Sequence, residues 1–284
     1  MPKGTPSRGF RPRRALGQTF LHDGAIRSAI VDAITPRPED VLLEIGAGRG
    51  ELTLPLAAAG VRWILTLEAD AALVEELRRV LEAKEVGRIE VLHADFLQVD
   101  LGVLLDRRGF GSATRLRVVG NLPYSAASPI LLKLLTVRDR LEDMTLMFQE
   151  EVAQRLIARP GTKAYGYLSV VTQQASRARL LLGVPPGAFW PRPKVHSALV
   201  RLEFLREREP PVGDPELFHA LVKGLLSHRR KTISNNIKRL KSSLVEIPVL
   251  LAALEKLRID PRRRAEALSV EEFAAISDFC SSRR

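Results

Sequence analysis

From residue 41 to residue 148, short apolar runs alternate with stretches in which apolar positions recur every three or four residues. The runs VLLEI (41–45), VRWILTLE (61–68), RIEVLHAD (88–95), RLRVVGN (115–121) and MTLMF (144–148) have the length and content of buried strands. Between them ELTLPLAAAG (51–60) and DAALVEELRRVLEAK (70–84) carry the helical period, the second with a clear polar face. Helices are also expected at 129–135, with Ser128 as N-cap and Pro129 at the first helical position, and at 149–158. Such alternation predicts an α/β fold with a doubly wound parallel sheet. Two later runs, ARLLLGV (178–184) and SALVRLEFL (197–205), flank the proline-rich PPGAFWPRPKVH and suit an antiparallel edge of that sheet.

The charged, Pro- and Gly-bearing REREPPVGDPE (206–216) reads as a linker, and the chain beyond it carries a helical pattern. Apolar Leu225, Ile233, Ile237, Leu240 and Leu244 fall on one face of the tail, and Arg230, Ser234, Lys238 and Lys241 on a polar stripe. The expected organisation is a basic tail over 1–14, a catalytic α/β domain over 15–206 and a small all-helical domain over 213–284. No internal repeat interrupts it.

Composition then narrows the function. The chain of 284 residues has 44 Lys and Arg against 33 Asp and Glu, a formal charge of +11, which favours a polyanionic partner. The surplus is concentrated: residues 1–14 hold Lys3, Arg8, Arg11, Arg13 and Arg14 without an acid, and residues 227–241 hold six basic residues without one. Such blocks are also compatible with plain solvated faces. The single Cys280 excludes an intrachain disulfide, and the five histidines have no ligand spacing, so no metal is expected. With no run of roughly 18 apolar residues and no signal-peptide pattern, a cytoplasmic protein without a membrane span is expected.

The first strand runs into LEIGAGRGEL (43–52), whose glycines 46, 48 and 50 permit close approach of a ligand to the backbone. Glu51 occupies the last position of the dinucleotide pattern G-x-G-x-x-G, so the match is incomplete, and a bare turn or an NAD site remains compatible with the loop alone. Glu68 ends the second strand 20 residues beyond Gly48 and Asp95 ends the third, so two carboxylates share the rim where α/β sheets bind ligands. Carboxylates without a phosphate-binding lysine suit S-adenosylmethionine, which carries ribose, adenine and a cationic sulfonium but no phosphate; Glu44 would lie near its charged amino-acid end.

GNLPYSAASP (120–129) follows the fourth strand at the same rim. Together with GQTFLHD (17–23), EIGAGRGELT (44–53), AFWPRPKVHSALVRL (188–202) and HRRKTISNN (228–236), it makes the chain resemble the ribosomal RNA adenine dimethyltransferases over residues 11 to 280. The last motif resembles their bacterial small-subunit (kasugamycin-sensitivity) branch. The resemblance implies a Rossmann-like class I methyltransferase fold that uses S-adenosylmethionine. It also implies a target of two adjacent adenines in a hairpin near the 3′ end of small-subunit ribosomal RNA, met on an immature subunit. No coiled-coil pattern appears in the chain, so a monomer is expected. An adenine amine is a weak nucleophile because its lone pair is delocalised into the ring. Acceptance of its N–H bonds by the Asn121 side-chain oxygen and the Leu122 carbonyl would free that lone pair, with Pro123 offering no competing donor. Tyr124 and, by resemblance, Phe189 would stack on the base. Family positions for the cofactor carry over to Thr19, Leu21, Gly46, Glu68, Asp95 and Asn121, beside Glu44 and Gly48 from the loop; Thr19 departs from the usual Asn. Arg229, Arg230, Lys231 and Lys238 would contact phosphates. A nonenzymatic RNA-binding factor, or an enzyme acting on large-subunit RNA or DNA, stays open on these residues.

Overall fold

A computed structural model describes residues 18–84, 86–111, 114–204, 210–240 and 245–283. The basic tail expected over 1–14 lies outside these residues, as do 206–209 of the expected linker and Lys241 and Leu244 of the expected tail faces. In chain order the strands are β1 (Phe20–Leu21), β2 (Val41–Ile45), β3 (Trp63–Glu68), β4 (Ile89–His93), β5 (Leu116–Asn121), β6 (Leu141–Gln149), β7 (Ser176–Val184), β8 (Phe189–Trp190) and β9 (Ser197–Phe204). The helices are α1 (Gly24–Ile34), α2 (Thr53–Ala58), α3 (Ala71–Ala83), α4 (Leu101–Asp106), α5 (Ala127–Thr136), α6 (Glu150–Leu156) and α7 (Tyr167–Ala175), then α8 (Pro215–Leu225), α9 (Ile233–Ile237), α10 (Ile247–Lys256) and α11 (Val270–Ser281).

Seven strands form one sheet in the order β4-β3-β2-β5-β6-β9-β7. β2 pairs in parallel with both β3 and β5, and β6 is parallel to β5, whereas β9 runs antiparallel to β6. The order reverses between β2 and β5, which opens a crevice beyond their carboxyl ends. Each inner strand is an apolar run because both sheet faces are covered: β2 is buried throughout, and its Leu42 packs in a core with Ile30, Ile34, Leu56 and Ile64. One charged residue interrupts β5. Arg117, 3% exposed, donates to both carboxylate oxygens of Asp143 at 3.0 Å, to Asp40 at 2.5 Å and to the carbonyls of Ile34 and Thr35. It ties β5, β6 and the end of α1 together below the sheet's working rim.

The expected strands and the doubly wound sheet are present, and several local expectations need correction. Ser128 is not the N-cap of α5: Ala126 is, and Pro129 falls at the third helical position. The first intrahelical bond runs from the Ile130 N–H to the Ala126 carbonyl, so the missing N–H of Pro129 removes no bond. The chain beyond the linker is helical as expected, but the polar stripe expected along it does not lie on one helix. α8 ends at Leu225, and buried Asn236 donates to the carbonyls of Leu225 and His228, which fixes the turn before α9. Thr232 then caps α9 by accepting from the Asn235 N–H. Arg230 therefore sits in a turn, Ser234 in α9 and Lys238 at its C-cap, so they do not form a stripe along one helix.

The chain divides into two compact units, the first comprising residues to Ala153 with Arg179–Phe204, the second Gln154–Ala178 with the chain beyond Phe204. The second unit therefore includes a stretch inside the expected 15–206 domain. In it Tyr165 is fully buried and donates its hydroxyl to the Leu268 carbonyl at 2.9 Å.

Candidate active site

At the carboxyl rim of β2, β3, β4 and β5 one cavity is lined by Thr19, Leu21, Glu44, Gly46, Gly48, Glu68, Asp95 and Asn121, all eight of the residues expected around a cofactor. The glycine loop explains its shape. Gly46 and Gly48 have φ of +78° and +56°, and a Cβ at Gly48 would meet the Glu51 carboxylate at 2.9 Å. Glu51, the residue that spoils the dinucleotide pattern, accepts the Arg49 N–H at 2.9 Å and closes the turn in place of a further glycine. Glu68 locks the loop to the end of β3. One of its carboxylate oxygens accepts the Gly48 N–H at 3.0 Å and the other the Asp70 N–H at 2.9 Å.

Burial raises the pKa of Glu44, Glu51 and Glu68, and Glu44 reaches about 7 despite the Thr53 hydroxyl that donates to it at 2.6 Å. Asp95 uses one oxygen to cap the turn at Phe96–Gln98 by accepting the Leu97 N–H. That turn is held from α5, where the Lys133 ammonium donates to the carbonyls of Phe96 and Leu97 at 2.9 and 2.8 Å. The sequence does not reveal this role of Lys133, because nothing local links it to a turn 36 residues earlier.

The cavity thus holds four carboxylates, Glu44, Glu51, Glu68 and Asp95, and no Lys or Arg among the described residues that line it. A diphosphate-bearing dinucleotide would set its charge against these acids. A ligand with an ammonium, a sulfonium and a ribose fits them, and this set of acidic hydrogen-bond acceptors suits S-adenosylmethionine.

Asn121 ends β5 at this rim. A Cβ on the preceding Gly120 would come within 2.5 Å of the Ile45 carbonyl, so glycine there lets β2 and β5 close up just before the site. The Asn121 Nδ2 donates to the Thr19 carbonyl at 3.1 Å, and its Oδ1 is buried with no hydrogen-bond partner. An unpaired buried acceptor costs on the order of 1–3 kcal/mol, which an arriving N–H donor would relieve. The bond at residue 19 uses the backbone, so Thr in place of the family's Asn leaves it intact. Gln18 anchors the same segment by donating to Asp70 at 3.1 Å.

Pro123 also lines the cavity, whereas Leu122 is buried and is not among the residues that line it. Tyr124 is half-buried, with its hydroxyl 2.7 Å from that of Ser197, and burial raises its pKa. Phe189 requires a correction. At 2% exposed it packs in the core with Leu21, Ile30 and Leu199 and presents no ring face to a base. In the helical unit Arg230, Lys231 and Lys238 are exposed, while the Arg229 guanidinium is paired with Glu266 at 3.0 and 3.1 Å.

Among the described residues no group of three or more His, Cys, Asp or Glu is placed to hold a metal ion, and no helix is long and apolar enough to cross a membrane.

The family profile described as ribosomal RNA adenine dimethylase matches residues 9–282. The chain belongs to that family. Its relatives include ribosomal RNA small subunit methyltransferase A of Geobacter metallireducens, 42% identical over 269 residues and 95% of each chain. The protein of the same description from Idiomarina loihiensis is 41% identical over 273 residues, covering 95% of this chain and 88% of the relative. A crystal structure of a dimethyladenosine transferase from Plasmodium falciparum shares the fold, with a TM-score of 0.76 at 22% identity over 90% of this chain and 95% of that one. The 23S rRNA methyltransferase ErmE gives a TM-score of 0.66 at 25% identity, over 92% and 99% of the two chains. The parallel sheet with antiparallel β9 at β6 is the class I methyltransferase fold of the family.

Proposed function

We propose that this family member dimethylates the exocyclic amines of two adjacent adenines in a 3′-terminal hairpin loop of small-subunit ribosomal RNA. It uses S-adenosylmethionine and acts in the cytoplasm, as a monomer, on immature small subunits. The family match and the small-subunit names of the relatives support the substrate. The single observation that carries the chemistry is the unpaired, buried Asn121 Oδ1 at the cavity wall.

When bound, S-adenosylmethionine supplies an electrophilic methyl group. The protein's part is placement. Glu68 and Asp95 would hold the ribose and the adenine of the cofactor, and Glu44 would serve its ammonium. Thr19, through its carbonyl, orients the Asn121 amide so that Oδ1 faces an incoming N–H. Asn121 Oδ1 and the Leu122 carbonyl accept the two N–H bonds of the target amine, and the nitrogen lone pair is released from the ring. Pro123 has no N–H to compete for it, and Tyr124, tethered through its hydroxyl, offers a fixed ring to the base. Catalysis then rests on orientation, with no strong base required. The exposed Arg230, Lys231 and Lys238 of the helical unit supply phosphate contacts.

Mass spectrometry of small-subunit RNA from cells lacking the gene tests this directly. Dimethyladenosine should be missing from the 3′ hairpin and return when the gene is restored; an unaltered modification pattern would refute the assignment.

A further inference from the structure

β1 and β8 form a two-stranded antiparallel ribbon in which Phe20 lies opposite Trp190 and Leu21 opposite Phe189. Directly opposed residues share a face, and neighbours along a strand point to opposite faces. Leu21 and Phe189 therefore turn together into the core, where both are buried. Phe20 and Trp190 take the other face. Phe20 lines the cavity and carries the Arg49 guanidinium 5.4 Å from its ring centroid, while Trp190 remains 36% exposed.

The loop after Trp190, PRPKVH, is tied to the site at both ends. It begins beside the strand partner of Phe20 and ends at Ser197, whose hydroxyl meets that of Tyr124 at 2.7 Å. It contains Arg192, Lys194 and His196 and no acid, and all three side chains are exposed. Neither Arg192 nor Lys194 enters an ion pair among the described residues. A large exposed ring set among unpaired cations is the composition that unpaired nucleic acid uses: rings stack bases and cations meet phosphates.

We infer that Trp190, with Arg192 and Lys194, is a platform for the RNA nucleotide flanking the target adenine. The indole stacks on the flanking base, and the two cations take the phosphates on either side. This rests on the methyl-transfer reading above and adds to it a subsite for the flanking base, distinct from the target-base contact that was expected of Phe189. The subsite fixes which adenine enters the notch while its neighbour is held outside.

The test uses full-length Trp190→Ala, Trp190→Leu and Trp190→Phe with unmodified small ribosomal subunits as methyl acceptor. Cofactor affinity, followed by calorimetry, reports that each variant is folded. Loss of one base stack predicts that Ala and Leu raise KM for subunits by about fivefold to a hundredfold. Their kcat and cofactor affinity should be unchanged, and Phe, which keeps an aromatic face, should recover most of the KM. Doubling the change with Arg192→Ala and Lys194→Ala should lower the salt dependence of subunit binding by roughly 0.7 per charge in the logarithmic slope.

An unchanged KM in the Ala and Leu variants overturns the proposal. So does a Leu variant as good as Phe, which would mean an apolar contact with a ribosomal protein instead of a stacked base. Wild-type enzyme is assayed beside them. If it methylates the subunits while the variants match it, the platform fails and the methyl-transfer reading stands; if it transfers nothing, that reading itself fails.

Discussion

Glu44 is buried where an acid weakens the fold, and substituting it measures what the cavity is built to bind. It is 1% exposed, and burial lifts its pKa from 4.5 to about 7. Between those pH values the native state holds a proton that the unfolded chain has released, so stability falls as pH rises from about 4.5 to 7 and stays low above. A shift of roughly 2.5 units corresponds to about 3 kcal/mol. Glu44→Gln cannot ionise, and its amide oxygen can still accept the Thr53 hydroxyl bond. The variant should therefore match the wild type near pH 4.5 and exceed it by up to about 3 kcal/mol at pH 8, or roughly 6–12 °C in Tm for a chain of this size. Thermal unfolding at the two pH values reads the difference. On the proposed role of Glu44, in which its carboxylate meets the ligand's ammonium, the same variant should bind S-adenosylmethionine more weakly at pH 8, so stability is gained as function is lost. A Tm advantage equal at both pH values, or none at either, would refute the reasoning.

Arg117→Met should destabilise the protein by about 3–5 kcal/mol in urea unfolding, because it leaves the buried carboxylates of Asp40 and Asp143 without their shared cation; a loss below about 1 kcal/mol, the scale of a surface pair, would contradict the clasp that Arg117 makes from β5. Replacing Arg230, Lys231 and Lys238 together by Ala should reduce the logarithmic salt slope of RNA binding by roughly 2 to 3 while leaving cofactor affinity untouched. An unaltered slope would remove these side chains from the RNA contact. Gly120→Ala should impair both folding and methyl transfer, since the added Cβ meets the Ile45 backbone and would push β5 away from β2 just before Asn121; normal activity in that variant would show that the strand spacing at the rim is not critical.

The sheet is legible in the sequence because its strands are continuous apolar runs covered on both faces, and the eight cofactor candidates converge because most end a strand or sit in the loop that follows one. The features hidden from the sequence depend on pairing and on long-range bonds. The ribbon of β1 and β8 is two residues per strand, too short for a period, yet its register decides that Phe189 faces the core and Trp190 faces out. Arg117 sits inside an apolar run, and only the fold brings Asp40 and Asp143 to it. The tail has a good helical pattern across residues 217–244, but the bonds of Asn236 to Leu225 and His228 interrupt it with a turn. Pro129 has the local signature of a helix start, although the turn ahead of it has already begun the helix at Ala127.

The central claim is that Asn121 Oδ1 accepts the target amine at the end of β5. Methyl transfer from labelled S-adenosylmethionine to unmodified small subunits by Asn121→Ala, with subunit and cofactor binding measured on the same preparation, tests it most directly. The account predicts that transfer collapses by at least about a hundredfold, the loss expected when a group that orients the nucleophile is removed, while the subunit still binds. Wild-type turnover in that variant would contradict it.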